Sequence, residues 1–306
     1  MKVAVVGSGV MGPGIAQVFM MGGHDVTLTD TNEGALIAGE DAIKGSLALM
    51  GEKSLIADSA PAMSRLTLVS DLAVAVDGAE LVIEAIPEVV ALKKTLYHDL
   101  DDLCAPGTVI VSNTSAFPLP DMMPQFRPGD FFVAHFFNPA PVVPLVEIVH
   151  NDHTDVVKVA WLRQVLTDCG KRPVVISGFV KGFLVNRLQT ALVREGLYLV
   201  RQGLVSPADL DTATSMGIGF KTAWQGFFET MDYIGLDTVA FACGAILPDL
   251  CSDVGVPAEI GEKVAAGKLG LKTGEGFLSY PEGVAATERR RLDPLLEQLK
   301  LLRQYG

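Results

Sequence analysis

Short apolar runs alternate with longer segments of helical periodicity through roughly the first 180 residues of the chain. The runs are rich in β-branched residues, which is typical of buried strands, and they lie at Val3–Val6, Val26–Thr29, Leu81–Glu84, Val109–Ser112, Phe131–His135, Leu145–Val149 and Pro173–Ile176. The segments between them, such as Val89–Leu103 and Asp155–Cys169, carry apolar side chains at helical spacing. Because parallel strands need long crossover connections, this alternation predicts an α/β fold with a Rossmann-type, doubly wound parallel sheet.

The strand pattern ends near residue 178, and the remaining sequence predicts helices. Phe183–Gln202 is apolar at helical intervals, and Ser206 and Pro207 then provide a capping residue and a first-turn proline for another helix. Near the C-terminus a stripe of leucines follows one helical face and predicts an extra helix at about 284–304. We therefore predict two domains, which are a Rossmann-like domain at 1–180 and a smaller all-α domain at 181–306.

The composition of the chain fits a soluble globular protein. Of its 306 residues, 49% are hydrophobic and 20% are charged, which excludes a disordered or low-complexity chain. The net charge of −12 disfavours a nucleic-acid or anionic-membrane surface, because both partners require a dense basic patch. Residues 3–24 carry no charge, but glycines interrupt them, and the basic start and cleavage site of a signal peptide are missing. We therefore expect a cytoplasmic protein with neither a membrane nor a nucleic-acid partner.

A glycine-rich turn follows the first predicted strand. The segment Gly7-Ser8-Gly9-Val10-Met11-Gly12 matches the GxGxxG pattern, with a strand before it and a helix after it. Gly7 allows a tight turn, Gly9 lets the backbone approach a pyrophosphate, and Gly12 permits close packing of helix on strand. Asp30 ends the next strand, 18 residues after Gly12, where it would bind the adenosine ribose and repel a 2′-phosphate. The pattern predicts an NAD site that contains Gly7, Gly9, Val10, Met11, Gly12 and Asp30.

One histidine and one glutamate lie in neighbouring apolar runs. His135 is near the carboxyl end of its run, where open α/β sheets bind ligands. Glu147 lies inside the next run, and a buried glutamate needs a partner such as an imidazole. A metal site made by Glu147, His150 and His153 is disfavoured, because residues in a strand and in the turn after it seldom converge. The four cysteines also lack metal-like spacing, so we predict a His–Glu pair and no metal.

Taken together, these motifs resemble those of the 3-hydroxyacyl-CoA dehydrogenase family over about residues 1–280. The matching strings, in chain order, are GSGVMGPGIA (7–16), VIEAIPE (82–88), SNTS (112–115), HFFNPAPVVPLVEIV (135–149), GFLVNR (182–187), GFFETMDYIGLD (226–237) and LKTGEGF (271–277). Each string alone is unspecific, but their order and spacing together are highly specific.

The resemblance implies both the chemistry and the residues that perform it. His135 would remove the proton from a substrate 3-hydroxyl while hydride leaves for the nicotinamide, and Glu147 would hold the imidazole in place. Ser115 and Asn186 would hydrogen-bond the substrate oxygens. Further family contacts map onto Glu88, Lys93, Asn138 and Lys272 for the cofactor, and onto Ser46 and Lys53 for CoA. The family also implies a homodimer that forms through the helical domain.

Several features depart from the family pattern. Phe227 stands where the family's GPFE motif has proline, and residues 116–120 are bulkier than the family's small, polar segment. The helix predicted at 32–53 carries more acidic than basic residues, which is unfavourable for the phosphates of CoA. A tail of about 26 residues also follows Tyr280, where the family sequence usually ends.

The leading expectation is NAD-dependent oxidation of an (S)-3-hydroxyacyl-CoA to the 3-oxoacyl-CoA, and its reverse, in fatty-acid or related acyl-CoA breakdown. A first alternative keeps this chemistry for a CoA-free 3-hydroxy acid or diketone, as in L-gulonate 3-dehydrogenase, carnitine dehydrogenase and diketoreductase. A second alternative is a catalytically idle structural protein, like the family's lens crystallin, although the intact set of four catalytic positions argues against it.

Overall fold

The computed structural model describes residues 1–115 and 127–305, so residues 116–120 lie outside the described part. The chain divides into two compact units. The first comprises Met1–Leu184 together with the C-terminal segment from Leu292, and the second comprises Val185–Arg291. The sequence-based boundary at residue 180 lies four residues before this division, and the sequence had assigned the C-terminal segment to the helical domain.

The first unit is an α/β layer structure. Its strands are β1 (Lys2–Val6), β2 (Asp25–Thr29), β3 (Leu66–Val69), β4 (Leu81–Glu84), β5 (Val109–Ser112), β6 (Phe131–Phe136), β7 (Leu145–His150) and β8 (Arg172–Ser177). Its helices before residue 184 are α1 (Gly12–Met21), α2 (Glu33–Glu52), α3 (Ala60–Met63), α4 (Leu72–Val76), α5 (Val90–Leu103) and α6 (Val156–Asp168). The predicted Rossmann-type fold is confirmed.

The described strands form one sheet in the order β3-β2-β1-β4-β5-β6-β7-β8. Every neighbouring pair is parallel, as predicted, except β6 and β7, which are antiparallel. The physical reason is the short connection at 137–144, because a parallel pair needs a crossover of a dozen or more residues. As a consequence, His135 and Glu147 lie directly opposite each other in the register.

Alternation along the strands divides the core of this unit between the two faces of the sheet. Val3 and Val5 point into a cluster with Ile15 of α1 and Ile43 of α2, while Ala4 points into a second cluster with side chains of α4 and α5. Successive strand residues face opposite sides of a sheet, so a central strand such as β1 is apolar at nearly every position. This packing fixes the loops that follow the strands.

The second unit consists of helices and turns, as predicted. Its elements are α7 (Val185–Arg201), α8 (Pro207–Ala213), a π-helical segment (Thr214–Gly219), α9 (Phe220–Thr222), α10 (Phe227–Ile234), α11 (Leu236–Ile246), a 3₁₀ turn (Leu247–Asp249), α12 (Ala258–Ala265) and a 3₁₀ turn (Leu271–Thr273). Ser206 caps α8, because its Oγ accepts a hydrogen bond of 3.1 Å from the Asp209 N–H. Across residues 1–115 and 127–305, no single helix is both long and apolar enough to cross a membrane; one bent pair, Phe227–Ile234 with Leu236–Asp249, passes the same test only in combination.

The last helix, α13 (Val284–Tyr305), agrees with the extra helix predicted from the leucine stripe. From Leu292 onward it belongs to the first unit. Leu296 and Leu299 are buried there in a cluster with Met50 of α2 and Val142. The stripe therefore covers apolar surface of the α/β unit and does not extend the core of the helical unit.

Candidate active site

A cavity of about 630 Å³ opens at the carboxyl end of the sheet. Its walls are the segments that follow β1, β2, β4, β5 and β6, with lining residues Gly7, Gly9, Val10, Met11, Asp30, Ala35, Ala85, Ile86, Pro87, Glu88, Asn113, Ser115, His135, Phe136, Phe137 and Asn138. This is the edge at which open α/β sheets bind ligands. The predicted cofactor residues of the first unit, except Gly12 and Lys93, line this cavity together with His135 and Ser115.

The glycine-rich turn has the geometry that a dinucleotide requires. Gly7 has a φ of +107°, and a Cβ there would lie 2.7 Å from the Ala85 carbonyl oxygen. A Cβ on Gly12 would lie 1.7 Å from the Gly7 carbonyl oxygen, whereas one on Gly9 would meet nothing within 4 Å. Since no side chain caps the amino end of α1, the helix presents free N–H groups to the cavity. The turn therefore fits a pyrophosphate.

Asp30 is held in a fixed orientation at the far end of this cavity. One carboxylate oxygen accepts a hydrogen bond of 2.8 Å from the Ser8 N–H, and the other accepts one of 2.9 Å from the Asn32 N–H. Each oxygen has a second lone pair, which can accept a ribose hydroxyl. A 2′-phosphate would meet a fixed negative charge here, so the site fits NAD better than NADP.

His135 and Glu147 form a buried pair beside the cavity. Their Nδ1 and Oε2 atoms are 2.8 Å apart, and the Glu147 side chain is fully buried. An ionised carboxylate only accepts hydrogen bonds, so the tautomer of the neutral ring that fits this contact has its proton on Nδ1 and its lone pair on Nε2. The antiparallel pairing of β6 and β7 causes this contact, since directly opposed residues project side chains to the same face.

A tight turn completes the surroundings of this pair. Gly182 and Phe183 have φ values of +81° and +49°, and the turn directs the Leu184 N–H to the second oxygen of Glu147 at 3.0 Å. The Phe183 ring is buried, with its centroid 5.5 Å from that of His135. A positive φ is unfavourable for phenylalanine, so the turn has a strained backbone, and this conformation fixes the position of Glu147.

A second buried acid, which the sequence analysis did not identify, lies behind the cavity. Glu84 is fully buried and accepts hydrogen bonds from Lys93 Nζ at 2.7 and 2.9 Å, Tyr97 OH at 2.6 Å and Ser112 Oγ at 2.6 Å. Burial, followed by the Glu84 charge, raises the pKa of Tyr97 above its ordinary value, so the phenol stays a donor. The signal for Glu84 was present, because an acid at the end of an apolar run needs a partner.

Glu88 connects this buried cluster to the cavity wall. Its Oε2 lies 3.2 Å from Lys93 Nζ. Its Oε1 accepts hydrogen bonds from Thr114 Oγ1 at 2.8 Å and from the Ser115 N–H at 3.2 Å. Glu88 and Ser115 line the cavity, where a ligand could contact them. The Lys93 side chain is only 1% exposed and lies between the carboxylates of Glu84 and Glu88.

The remaining predicted residues occupy different places. Asn138 lines the cavity, and Ser46 is half-buried on α2, away from the cavity lining. Lys53 follows α2, and its ammonium group lies 3.2 Å from Asp293 and 3.5 Å from Glu297 of α13. The hydrogen bond with Asp293 raises the pKa of Lys53. The other predicted contacts are in the second unit, Asn186 on α7 and Lys272 in a 3₁₀ turn, and their roles stay predictions.

Comparison with known proteins places the chain among dehydrogenases. Residues 2–179 match the family described as 3-hydroxyacyl-CoA dehydrogenase, NAD binding domain, and residues 182–280 match the corresponding C-terminal domain. The chain is 32% identical over 303 residues to 5-formyl-3-hydroxy-2-methylpyridine 4-carboxylate 5-dehydrogenase of Mesorhizobium japonicum, covering 98% of each chain. It is 36% identical over 288 residues to mitochondrial hydroxyacyl-coenzyme A dehydrogenase of Rattus norvegicus, covering 91% of this chain and 90% of the relative.

A solved structure agrees with the first of these relatives. It is the crystal structure of a 5-formyl-3-hydroxy-2-methylpyridine 4-carboxylic acid 5-dehydrogenase, described as an NAD⁺-dependent dismutase. Its TM-score against this chain is 0.92 at 31% identity, with 99% of this chain and 98% of that chain covered. Coverage of this extent includes the C-terminal helix, whereas the alignment with the rat enzyme leaves about a tenth of this chain unmatched.

Proposed function

Because the chain belongs to the 3-hydroxyacyl-CoA dehydrogenase family, we propose that it oxidises the hydroxyl group of a small carboxylic acid that carries no CoA, with His135 and Glu147 as the acid–base pair. Membership makes it an NAD-dependent oxidoreductase that acts on CH–OH groups. The observation that carries the reaction is the buried His135–Glu147 pair on the wall of the cavity. The observation that carries the substrate class is the pairing of Lys53 with α13.

His135 takes the hydroxyl proton in the proposed reaction. Glu147 keeps the proton of the neutral ring on Nδ1, which leaves Nε2 free to accept the substrate proton. The same carboxylate stabilises the imidazolium that results. Ser115 lines the cavity and would donate a hydrogen bond to a substrate oxygen, and Asn186 is proposed to do the same. NAD, when bound, supplies the hydride acceptor, and the glycine-rich turn and Asp30 hold it in place.

The proposed substrate class follows from the ion pairs of Lys53, the predicted CoA contact. Lys53 is the position at which the resemblance implies contact with CoA, yet its ammonium group is paired with Asp293 and Glu297. A phosphate at this place would have to displace two carboxylates of the chain itself. The excess of acidic side chains on α2 adds to this unfavourable field. A substrate without a phosphate-bearing carrier has no such conflict.

One relative supports the carrier-free class, because it covers 98% of this chain and is named for a pyridine carboxylate, which is a small acid. Coverage of the C-terminal helix does not by itself separate the two classes, since a solved structure named as a 3-hydroxyacyl-CoA dehydrogenase, from Archaeoglobus fulgidus, also covers 100% of this chain at 30% identity and a TM-score of 0.70. The alignment with the relative named for coenzyme A leaves unmatched about as much of the chain as lies beyond Tyr280, where the Lys53-pairing helix is. An (S)-3-hydroxyacyl-CoA is the second candidate, favoured by the family match over residues 2–280.

The experiment measures NADH formation with three probes side by side: (S)-3-hydroxybutyryl-CoA, free (S)-3-hydroxybutyrate and 5-formyl-3-hydroxy-2-methylpyridine 4-carboxylate. In the last probe the group that can lose hydride is the formyl group, which presents a CH–OH unit as its hydrate and would be oxidised to a carboxylate. We expect turnover of at least one free acid and little of the ester. His135→Ala serves as the blank and should lower turnover by at least about 100-fold, the low end for a positioned general base. Fast turnover of the ester alone would overturn the substrate class, and wild-type turnover in His135→Ala would overturn the reaction.

Lys53 provides a separate test of the carrier. For an acyl-CoA enzyme, Lys53→Ala should raise the KM for the ester, because a phosphate contact is lost. Under our proposal it should leave the KM for the free acid unchanged. Lys44→Ala is the matched control, since Lys44 lies on α2, the helix that Lys53 follows, and pairs with Glu40 at 3.0 Å.

We also infer that the helical unit forms a homodimer. Large aromatic side chains of this unit are exposed in the single chain, among them Phe228 at 82%, Tyr233 at 85% and Phe241 at 82%. Exposed apolar surface of this extent usually marks an interface. Light scattering during gel filtration should give twice the chain mass, and Phe228→Glu with Phe241→Glu should give the monomer mass; a wild-type monomer would overturn the inference.

A further inference from the structure

Glu84 and Lys93 form a buried ion pair that the proposed chemistry does not use. Glu84 is fully buried and Lys93 is 1% exposed, so neither can reach a ligand in the cavity unaided. Burying two charges carries a desolvation penalty of several kcal/mol per ion unless the pair is well arranged and fully hydrogen-bonded. Here Tyr97, Ser112 and the Ile86 N–H supply the additional donors to Glu84. A pair this completely enclosed calls for a physical explanation.

Glu88 connects the charged groups of this cluster to the cavity wall. Lys93 Nζ contacts Glu84 with one side and lies 3.2 Å from Glu88 Oε2 on the other. The remaining oxygen of Glu88 receives the Thr114 hydroxyl and the Ser115 N–H. A continuous chain of polar contacts therefore runs from Glu84 through Lys93 and Glu88 to the backbone at Ser115.

We propose that Glu84 and Lys93 are a positioning pair for the reaction, which acts through Glu88 to hold Ser115 in place beside His135. Neither Glu84 nor Lys93 is among the residues that line the cavity. The proposal rests on the proposed function, in which Ser115 hydrogen-bonds the substrate. For Lys93, which the family resemblance implies as a cofactor contact, it adds a role inside the protein.

Replacing both charged residues with neutral ones distinguishes a role in positioning Ser115 from a role in stability alone. Removing one partner leaves the other charge buried and alone, so Glu84→Gln or Lys93→Met by itself should lower the melting temperature sharply. The double variant Glu84→Gln/Lys93→Met has no stranded charge and should melt close to the wild type. Its Glu88 has nevertheless lost the ammonium group, so we expect kcat to fall by about 10- to 100-fold, the range for a misplaced contact group.

Two controls make this result specific. Asp101→Asn removes an acid from the same helix, α5, where it pairs with Arg127 away from the cavity; it should lower the melting temperature and leave kcat unchanged. Glu88→Gln should reproduce the loss of kcat with little effect on stability. If the pair acts through Glu88, the double variant should cause no further loss in the Glu88→Gln background, because residues of one network are not additive.

Hydrogen exchange supplies a readout that needs no substrate. The Ser115 amide donates to Glu88, so a peptide that covers 109–115 should exchange faster in the double variant than in the wild type or Asp101→Asn. Unchanged exchange would overturn the proposal, as would a double variant with wild-type kcat or a full additional loss in the Glu88→Gln background. Absence of NAD-dependent turnover in the wild type would instead refute the proposed function, and hydrogen exchange alone would then decide whether the pair positions Ser115.

Discussion

Replacing Glu147 with glutamine tests the catalytic geometry directly. The two carboxylate oxygens serve different groups, because Oε2 faces His135 Nδ1 at 2.8 Å and Oε1 accepts the Leu184 N–H at 3.0 Å. In Glu147→Gln the amide oxygen can still accept from Leu184, and the NH₂ group then faces Nδ1. A donor at that place forces Nδ1 to accept, which moves the ring proton to Nε2. The nitrogen that should take the substrate proton is then already protonated.

The size of the effect follows from the same contacts. A hydrogen bond to a charged group contributes about 1.5–3 kcal/mol, which corresponds to roughly 10- to 150-fold in rate when it stabilises the imidazolium of the transition state. The wrong tautomer adds to this loss, as it does when the acid of a serine-protease triad is replaced by its amide. We therefore expect kcat to fall by at least about 100-fold, while the affinity for NAD stays nearly unchanged because Glu147 does not line the cavity.

The assay follows NADH absorbance with the substrate that the three probes identify, and thermal melting verifies that the variant is folded. The matched test adds Glu147→Gln to His135→Ala. Since Glu147 acts through His135, it should cause little further loss in that background. Wild-type turnover in a folded Glu147→Gln protein would refute the reasoning, and so would a second large loss on top of His135→Ala.

Three further predictions concern the cofactor and the stability of the first unit. Asp30→Ala should weaken NAD binding more than NADP binding in calorimetric titrations, because the repelling carboxylate is removed. Leu296→Ala should lower the free energy of unfolding in urea by about 2–5 kcal/mol, whereas the more exposed Lys300→Ala on the same helix should change it little. Burial lowers the pKa of Lys171 to about 8 from 10.5, so the unfolded chain holds the proton that the folded chain has lost. The contribution of Lys171 to stability should therefore rise between about pH 8 and 10.5, measured as the difference between thermal melts of the wild type and of Lys171→Met at each pH.

Hydrophobic periodicity predicted most of the fold, because burial on one or both faces leaves a clear pattern in each element. The structure confirms every strand that the pattern indicated. It adds β3, whose four residues Leu66–Val69 are only half-buried or exposed at the sheet edge and so have little apolar pattern. The direction of β7 was also missed, because direction depends on the length of the connection at 137–144 and not on the residues of the strand.

The destination of the leucine stripe could not be predicted from its own sequence. An amphipathic helix requires an apolar partner surface, but the pattern does not say which surface that is. In the structure the partner is the region around Met50, which lies about 250 positions earlier in the chain than the buried Leu296 and Leu299. Contacts between segments so far apart in the sequence form only in the folded unit, so the hydrophobic pattern of one segment does not predict them.

The same limit explains why matching motifs predicted the position of two lysines without predicting what they bind. Lys53 and Lys93 have the residue type that the family resemblance requires, and each ammonium group nevertheless faces two carboxylates of the chain itself. The partners of Lys53 are on α13, and Lys93 pairs with Glu84 at the end of β4; the sequence indicates that Glu84 needs a partner but not which residue that partner is. A motif predicts the position of a lysine in the chain. The affinity of that lysine for a phosphate also depends on the carboxylates with which its ammonium group is already paired. A lysine that must first leave two carboxylates is a weak site for phosphate, even though its identity and spacing match.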